Sequence, residues 1–243
     1  MITLNDVSVR AGAFALKRVS FSIPAGKFGV VVGAAGSGKT TMLEAIAGVR
    51  PLTSGSIALH AHTVTDWPPE KRAVGLVYQH GALFPHRSVG DNIAWSVKVS
   101  RRAGDAALEA DRTAIVNRLG IAALYGTPVS ALSGGERQLV ALARALLRVR
   151  ACLHRAQPAV LLLDEPFSAL DPRRRVATRE IVHAVHREWN LTTLMVTHDS
   201  IDARRADVAV LLDGGEVVQS GAPQELLNAP VRDDVAYFLN GDA

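Results

Sequence analysis

The sequence predicts an α/β fold in which helices wrap a mainly parallel sheet, with short antiparallel strands beside it. Apolar runs of strand length alternate with stretches of helical periodicity along the 243 residues, a pattern typical of parallel sheets. A glycine-rich loop lies between one such strand and the helix that follows it. Polar side chains come directly after several apolar runs, at the sheet edge where parallel sheets bind their ligands.

The individual elements follow from apolar runs, helical spacing and turn residues. Strands are predicted at 2–9, 19–23, 28–32, 53–59, 74–78, 159–163, 191–197, 208–212 and 216–219. Helices are predicted at 40–47, at 105–119, from the segment 132–138 onward, at 173–189 and from 223 to 227. Pro68 and Pro69 cannot lie inside a helix, so 66–72 is predicted to be a loop or a short helix opening.

Composition limits the classes of protein that remain. Hydrophobic residues make up 48% of the chain, enough for a real core, and the net charge is +4. Apart from the arginine run 173–175, the positive residues are scattered, with no basic stripe among aromatic residues, so we predict no nucleic-acid partner. The single cysteine, Cys152, excludes an intrachain disulfide framework and fits a reducing compartment. Since we find neither a signal peptide nor a run of about 18 apolar residues, we expect a cytoplasmic chain that reaches a membrane only through a partner.

The segment 33–41, GAAGSGKTT, matches the phosphate-binding pattern G-x-x-x-x-G-K-[ST] and lies between a predicted strand and a predicted helix. Glycines let the backbone curl around phosphate groups where a Cβ would clash. Lys39 would reach the β- and γ-phosphates and the Thr40 hydroxyl would bind Mg²⁺. The predicted nucleotide cradle comprises Gly33, Ala34, Ala35, Gly36, Ser37, Gly38, Lys39, Thr40 and Thr41.

Polar residues after three other strands supply further chemistry. Asp164 and Glu165 follow a wholly apolar strand, where an aspartate helps to hold Mg²⁺ and an adjacent glutamate can serve as general base for water. His198 follows another strand and could contact the γ-phosphate, although a lone histidine at a strand end is more often structural. Gln79 is a weaker candidate when taken singly.

The segment 132–138, LSGGERQ, has two compatible interpretations. In the first, Ser133 and Glu136 form a capping box at the start of a helix. The capping box does not explain why Gly134 and Gly135 follow Ser133, because paired glycines weaken a helix start. In the second, Ser133 and the two glycine N–H groups form another anion-binding helix end.

Taken together, these motifs resemble those of ABC ATPases. LSGGERQ is similar to that family's signature sequence, and the order of motifs agrees: phosphate loop at 33–41, Gln79, LSGGE at 132–136, LLLDEP at 161–166, SALD at 168–171 and His198. The resemblance spans nearly the whole chain and extends to importer ATPases such as those for molybdate. It implies a P-loop NTPase fold within a single domain, 1–243. That domain would have a RecA-like core, an antiparallel β-subdomain and a helical subdomain at about 80–140.

The resemblance also implies roles and partners. Two copies would close head to tail on two ATP molecules, each held between one phosphate loop and Ser133, Gly134, Gly135 and Glu136 of the other copy. Lys39 would bind phosphate, while Thr40, Gln79 and Asp164 would hold Mg²⁺. Glu165 would be the catalytic base, His198 the γ-phosphate switch, and Asp171 a link across the dimer. The further partners would be integral membrane permease subunits and a substrate-binding protein, with the chain on the inner face of the cell membrane.

Two departures from the family pattern leave questions open. ABC ATPases usually stack adenine on an aromatic residue ahead of the phosphate loop. The corresponding position in this sequence is Ala11, which is not aromatic, so Phe14 is the nearest substitute. The segment 147–157 is about two helical turns longer than usual. It could extend a helix or form a contact surface.

Transport is weighed against other functions. A soluble ABC ATPase of DNA repair or translation is the main alternative, but such proteins usually have paired modules or a coiled-coil insertion, and this chain has one module and no heptad run. A small GTPase would need an N-K-x-D motif, and a structural protein would leave Glu165 beside Asp164 unexplained. We therefore predict the ATP-hydrolysing subunit of an importer. Gln79 and the following loop, with residues 83–89, would sense its membrane partner, and the alternative for Phe84 and Pro85 is an ordinary buried turn.

Overall fold

The computed structural model describes residues 1–98 and 105–240. The strands are β1 Ile2–Ala11, β2 Phe14–Ile23, β3 Phe28–Val32, β4 Ser54–Leu59, β5 His62–Thr63, β6 Val74–Val77, β7 Val160–Asp164, β8 Thr192–Val196, β9 Val208–Asp213 and β10 Glu216–Gly221. The α-helices are α1 Lys39–Ala47, α2 Val89–Lys98, α3 Ala106–Arg118, α4 Gly134–Leu153, α5 Pro172–Glu188, α6 Ser200–Arg205, α7 Pro223–Asn228 and α8 Asp233–Asn240.

The chain divides into two compact units, one built from Met1–Arg72 and the chain from Asn190 onward, the other from Ala73–Trp189. The predicted helical subdomain at about 80–140 falls within the second unit, although residues 99–104 of that range, like 241–243 of the predicted domain, lie outside the described residues. That 1–243 forms a single domain with this insertion stays a prediction.

The first unit contains two sheets. One is antiparallel, in the order β2-β1-β4-β5. In the other, β3 pairs in parallel with both β8 and β9, and β10 pairs with β9 as an antiparallel edge. The sheets meet where the Lys17 N–H donates to the Gly215 carbonyl at 2.8 Å. The predicted combination of parallel and antiparallel strands is confirmed here.

The parallel strands form the centre of the first unit. Every residue of β3 and of β8 is buried, as continuous apolar runs predict for strands covered on both faces. Their register pairs Val31 with Val196. The predicted bounds of β3 are confirmed, and those of β8 are correct to within one residue at each end.

The second unit pairs β6 with β7 in parallel and also contains α2 to α5, of which α2 and α3 pack against α4. Strand β7 is wholly buried, and the long helix α4 packs against both β6 and β7. Gly75 of β6 lets this helix approach closely, because a Cβ there would lie 2.6 Å from the Ala145 carbonyl oxygen. The sequence patterns predicted α3, α4 and α5 but missed α2.

Candidate functional site

The loop between β3 and α1 requires glycine at both ends. Gly33 has φ +148° and Gly38 has φ +101°, values that side chains rarely adopt. A Cβ at Gly33 would also lie 2.0 Å from the Leu212 carbonyl oxygen, and one at Gly38 would lie 2.6 Å from the Phe14 ring. The motif therefore forms the tight strand-to-helix turn that the sequence predicts.

Helix α1 begins without a side-chain cap. Its N-cap is Gly38, and its first turn carries no acidic residue, whereas α3, α4, α5 and α6 begin at Asp105, Ser133, Asp171 and Asp199, each of which accepts a backbone N–H. The positive end of the α1 dipole is thus not neutralised by a cap of its own. Such a helix start suits an anionic ligand.

Ser37 supplies a second sign of a ligand. Its hydroxyl is buried and has no hydrogen-bond partner within the described residues. Buried hydroxyl groups are rarely left unsatisfied, and this one lies in the loop beside Gly33, 3.1 Å from where a Cβ on that residue would be. A phosphate oxygen could accept a hydrogen bond from the Ser37 hydroxyl, so the loop fits the predicted phosphate group.

Lys39 lies over the same loop. Its Nζ donates to the carbonyl oxygens of Gly33 and Ala34, both at 2.8 Å. The ammonium group is thereby held at the loop that would receive phosphate.

The register of β3 and β8 places His198 at the same sheet edge as this loop. Val31 pairs with Val196, so Gly33 and His198 each lie two residues beyond the paired position. The Thr197 N–H also donates to the Val31 carbonyl at 3.2 Å. His198 is exposed, and its role as a phosphate contact stays a prediction.

A similar register brings together two predicted residues of the second unit. Val77 of β6 pairs with Leu163 of β7, so Gln79 and Glu165 each lie two residues beyond that pair. Asp164 is buried, whereas Glu165 is partly exposed and adopts a left-handed backbone with φ +46°. Such a conformation in a non-glycine residue is uncommon and concentrates at functional sites.

The start of α4 is a complete capping box. The Ser133 hydroxyl accepts the Glu136 N–H at 3.3 Å, and the Glu136 carboxylate accepts the Ser133 N–H at 2.8 Å and its hydroxyl at 2.7 Å. The hydrogen bond from the Ser133 hydroxyl, followed by that from its N–H, lowers the pKa of Glu136 below its ordinary value of 4.5. The first interpretation of LSGGERQ is therefore confirmed.

The two glycines of this segment differ in what surrounds them. A Cβ at Gly135 would lie 3.0 Å from the Ala169 carbonyl oxygen, so close packing explains that glycine without any anion. A Cβ at Gly134 would meet nothing nearer than 3.8 Å. Ser133 and Gly134 are exposed, so anion binding at this helix start stays a prediction that rests on them.

Asp171 has a structural role within its own unit. It is the N-cap of α5, and its carboxylate accepts the Arg174 N–H at 3.0 Å. Communication across a dimer stays a prediction for this residue. Phe14 lies against Gly38 of the phosphate loop and is half-buried, so its ring is near the loop, and its stacking on adenine also stays a prediction.

The donors predicted for Mg²⁺ are a hydroxyl, an amide and a carboxylate, at Thr40, Gln79 and Asp164. These are hard oxygen ligands of the kind that Mg²⁺ prefers. Within residues 1–98 and 105–240, no group of three or more His, Cys, Asp or Glu residues could by itself hold a metal ion. Mg²⁺ in nucleotide sites commonly binds only one or two side chains together with substrate phosphates, and the chemistry of these three donors fits that pattern.

Comparison with known proteins identifies the family. The family described as "ABC transporter" matches residues 16–168. The chain belongs to the ABC transporter family. It is 39% identical to the sulfate/thiosulfate import ATP-binding protein CysA of Mycolicibacterium paratuberculosis, over 98% of this chain and 64% of that protein. It is 40% identical to the maltose/maltodextrin import ATP-binding protein MalK of Photorhabdus laumondii, over 98% of this chain and 63% of that protein.

A solved structure confirms the fold class. The ATP-binding cassette MJ0796, in a dimeric post-hydrolysis state bound to ADP and Pi, has a TM-score of 0.79 and 26% identity, covering 91% of this chain and 98% of that one. The ABC chain described here is thus a P-loop NTPase cassette. It spans slightly less than two thirds of the length of the CysA and MalK relatives named above.

Several residues of this cassette that hold the loop after Gln79 were not predicted. Arg144 of α4 donates to the carbonyl oxygens of Gly81 and Ala82 at 3.1 and 3.0 Å. The buried side chain of Asn92 pairs with both the N–H and the carbonyl of Phe84. An arginine among the apolar residues of a predicted helix could have singled out Arg144. Its partners could not have been predicted, because they lie 62 and 63 residues away in the chain.

The segment 147–157 extends a helix, one of the two possibilities left open. Helix α4 continues to Leu153. Arg150 and His154 both pair with Asp111 of α3, and the Arg150 guanidinium lies 5.2 Å from the centre of the Trp189 ring. The additional turns therefore pack within the second unit.

Proposed function

We propose that the chain is the ATP-hydrolysing subunit of an ABC importer. The observation that carries the proposal is the phosphate loop of this ABC chain. There an uncapped helix start lies beside the buried Ser37 hydroxyl, which has no hydrogen-bond partner in the described part of the chain. The curated relatives are import subunits by name, which favours transport over a soluble ATPase of DNA repair or translation.

The triphosphate of ATP is bound by residues 33–41. Backbone N–H groups at the start of α1 and the Ser37 hydroxyl contact phosphate oxygens, and Lys39 exchanges its loop carbonyls for the β- and γ-phosphates. Phe14, beside the loop, stacks on the adenine. Thr40, Gln79 and Asp164 would hold Mg²⁺, which would neutralise charge on the phosphates.

Hydrolysis is an in-line attack of water on the γ-phosphorus. Glu165 accepts a proton from the attacking water while the water oxygen bonds to the γ-phosphorus. The bond between the γ-phosphorus and the ADP oxygen breaks, and ADP leaves. His198 contacts the γ-phosphate and orients the water. The left-handed backbone of Glu165 supports this assignment, because such strain is retained where a side chain must point in a required direction.

A second copy completes the site. Its exposed helix start at Ser133 and Gly134, with Gly135 and Glu136, faces the triphosphate from the other side, and Asp171 links the two copies. The dimeric state reported for MJ0796 supports this arrangement. Binding of ATP closes the dimer, and hydrolysis with release opens it.

The membrane partner is a permease, and the surface that contacts it includes residues 83–89. Phe84 is 36% exposed and packs edge-on against Trp95 with ring centres 5.1 Å apart. The Arg87 guanidinium lies 4.7 Å from the centre of the Trp95 ring. Aromatic and arginine side chains are enriched in protein interfaces.

We also propose that the chain works with a substrate-binding protein and lies on the inner face of the cell membrane. None of the helices within 1–98 and 105–240 is both long and apolar enough to span a membrane.

Two substitutions test the enzymatic part. Glu165→Gln removes the base, so we expect ATP binding to persist while kcat falls by about 10²- to 10⁴-fold. Lys39→Ala removes a charge-assisted contact, so we expect the Kd for ATP to rise by roughly tenfold or more. Equilibrium binding and phosphate release measure these effects. Lys17→Ala and Glu188→Gln, which alter exposed ion pairs, are controls that should change neither quantity. Unchanged turnover in Glu165→Gln would remove Glu165 as the base.

A third substitution tests the partner. The tagged chain should copurify from detergent-solubilised membranes of the cells that encode it with one integral protein, identified by mass spectrometry. Arg87→Glu reverses the charge over the aromatic pair and should lose that protein, whereas Arg18→Glu, at an exposed site of β2, should retain it. Equal recovery with Arg87→Glu would show that residues 83–89 are not the contact.

A further inference from the structure

Arg72 is a buried arginine that belongs to none of the motifs above. Only 3% of it is exposed, and its guanidinium donates four hydrogen bonds to backbone carbonyls. Nη1 bonds to Ala45 at 2.8 Å and Ile46 at 2.9 Å, Nη2 to Thr65 at 2.9 Å and Nε to Trp67 at 2.9 Å. The side chain thus joins the end of α1 to the turn formed by residues 65–67.

Two of these acceptors, Ala45 and Ile46, lie in the last turn of α1. Carbonyl groups there have few partners within the helix, and they form the negative end of its dipole. The last turn of α1 contains no basic residue. Arg72 supplies the missing cation from 26 residues further along the chain.

Gly48, which ends α1, makes room for this guanidinium. Its φ is +79°, and a Cβ there would lie 2.5 Å from Nε and 2.7 Å from Cζ of Arg72. The end of the helix and the arginine are therefore fitted to each other. Arg50 also contacts α1, but its guanidinium pairs with the Glu44 side chain at a partly exposed position and not with the carbonyl groups of the last turn.

We infer that Arg72 is a positioning residue for the phosphate-binding loop, an inference that rests on the proposed nucleotide site. The nine residues of α1 span about 13 Å between the loop and the guanidinium. A helix of this length moves as a rigid rod, so holding one end holds the N–H groups at the other. ATP then binds a loop that is already ordered, which avoids the entropic cost of ordering it on binding.

The test compares Arg72→Lys with Arg50→Met. Lysine keeps the charge but lacks the planar fork that reaches carbonyls on two sides. At a temperature where circular dichroism shows every variant fully folded, we expect Arg72→Lys to raise the Kd and the KM for Mg-ATP about tenfold. We expect its kcat to stay within about twofold, the signature of lost uniform binding. Arg50→Met should change none of these constants by more than about twofold.

An unchanged Kd and KM in folded Arg72→Lys would overturn the inference, as would an equal effect of Arg50→Met. Failure of the wild-type chain to bind Mg-ATP would instead refute the proposed function. If Arg72→Lys does not fold, hydrogen exchange of the wild-type chain tests whether α1 is ordered before nucleotide binds. Amides of α1 should be protected before any nucleotide is added, and fast exchange that Mg-ATP alone suppresses would refute preordering by Arg72.

Discussion

Two residues of the proposed nucleotide site are held in unfavourable states. The left-handed backbone of Glu165 costs about 1–3 kcal/mol, and a buried hydroxyl without a partner, as at Ser37, costs about 1–3 kcal/mol. The Glu165 carbonyl accepts hydrogen bonds from the Ser168 N–H and hydroxyl, whereas the Ser37 hydroxyl has no hydrogen-bond partner within the described residues. Bound phosphate would accept a hydrogen bond from the Ser37 hydroxyl. The free-energy cost of burying that hydroxyl is therefore explained by the proposed nucleotide site.

Glu136 has a pKa that hydrogen bonds from Ser133 hold below 4.5. Because the folded pKa is depressed, its stabilising effect is fully present above pH 4.5 and is lost as the pH falls through the lower folded value. We therefore expect Glu136→Gln to be less stable than wild type at pH 6, with the difference shrinking as the pH falls below 4.5 and vanishing only below the lower folded pKa. Urea unfolding at a series of pH values measures this.

The Ser133→Ala background provides the control for that experiment. The hydroxyl is the largest cause of the shift, so Glu136→Gln should have a smaller pH-dependent effect when the hydroxyl is absent. An identical pH dependence in both backgrounds would contradict the assignment to the capping box.

Among the secondary-structure elements, α1 and α4 begin in opposite ways. Helix α4 satisfies its first turn with its own Ser133 and Glu136, whereas α1 begins at a glycine with no cap. We therefore expect α1 to bind phosphate in a single copy of the chain. The start of α4 would add to an ATP site only when a second copy approaches.

Helix α4 also organises the loop that follows Gln79. Arg144 holds the carbonyls of Gly81 and Ala82, and the latter residue has a left-handed backbone with φ +44°. The Arg144 guanidinium also lies 5.8 Å from the centre of the Phe84 ring. The proposed permease contact and the signature helix are thus parts of one packed body.

At the scale of the whole molecule, the proposed site depends on two copies. We expect Glu165→Gln with Mg-ATP to form a dimer, measured by analytical ultracentrifugation. Adding Gly134→Asp should weaken the dimer at least about tenfold, because a carboxylate would face phosphate at an exposed helix start. Gly134 has room for the new side chain, since its nearest neighbour would be 3.8 Å from the Cβ.

Gly126→Asp is the matched control, because Gly126 is exposed and a Cβ there meets nothing within 4 Å. It adds the same charge within the same unit and should leave the dimer intact. A Glu165→Gln preparation that stays monomeric with Mg-ATP would refute the shared site.

Patterns within a few consecutive residues determined much of this protein. The apolar run of β3, the glycine loop after it and the Ser133–Glu136 capping box were all readable, because each depends on neighbours in the chain. The helices α2, α6 and α8 were not predicted. For α6, six residues long, the helix depends on its Asp199 cap and on the burial of Asp202 and Ala203, and burial is not visible in the sequence.

Only the tertiary structure decided how distant segments hold the loops in place. The sequence determined that Gly33 to Thr41 form a phosphate loop, but not that Arg72 would fasten the far end of α1. The sequence contains two glycines before Glu136, but it does not indicate that one of them packs closely against the Ala169 carbonyl. A hydrogen bond or a close contact between residues 26 or 63 positions apart leaves no periodic or local pattern, because its partners become neighbours only when the chain has folded.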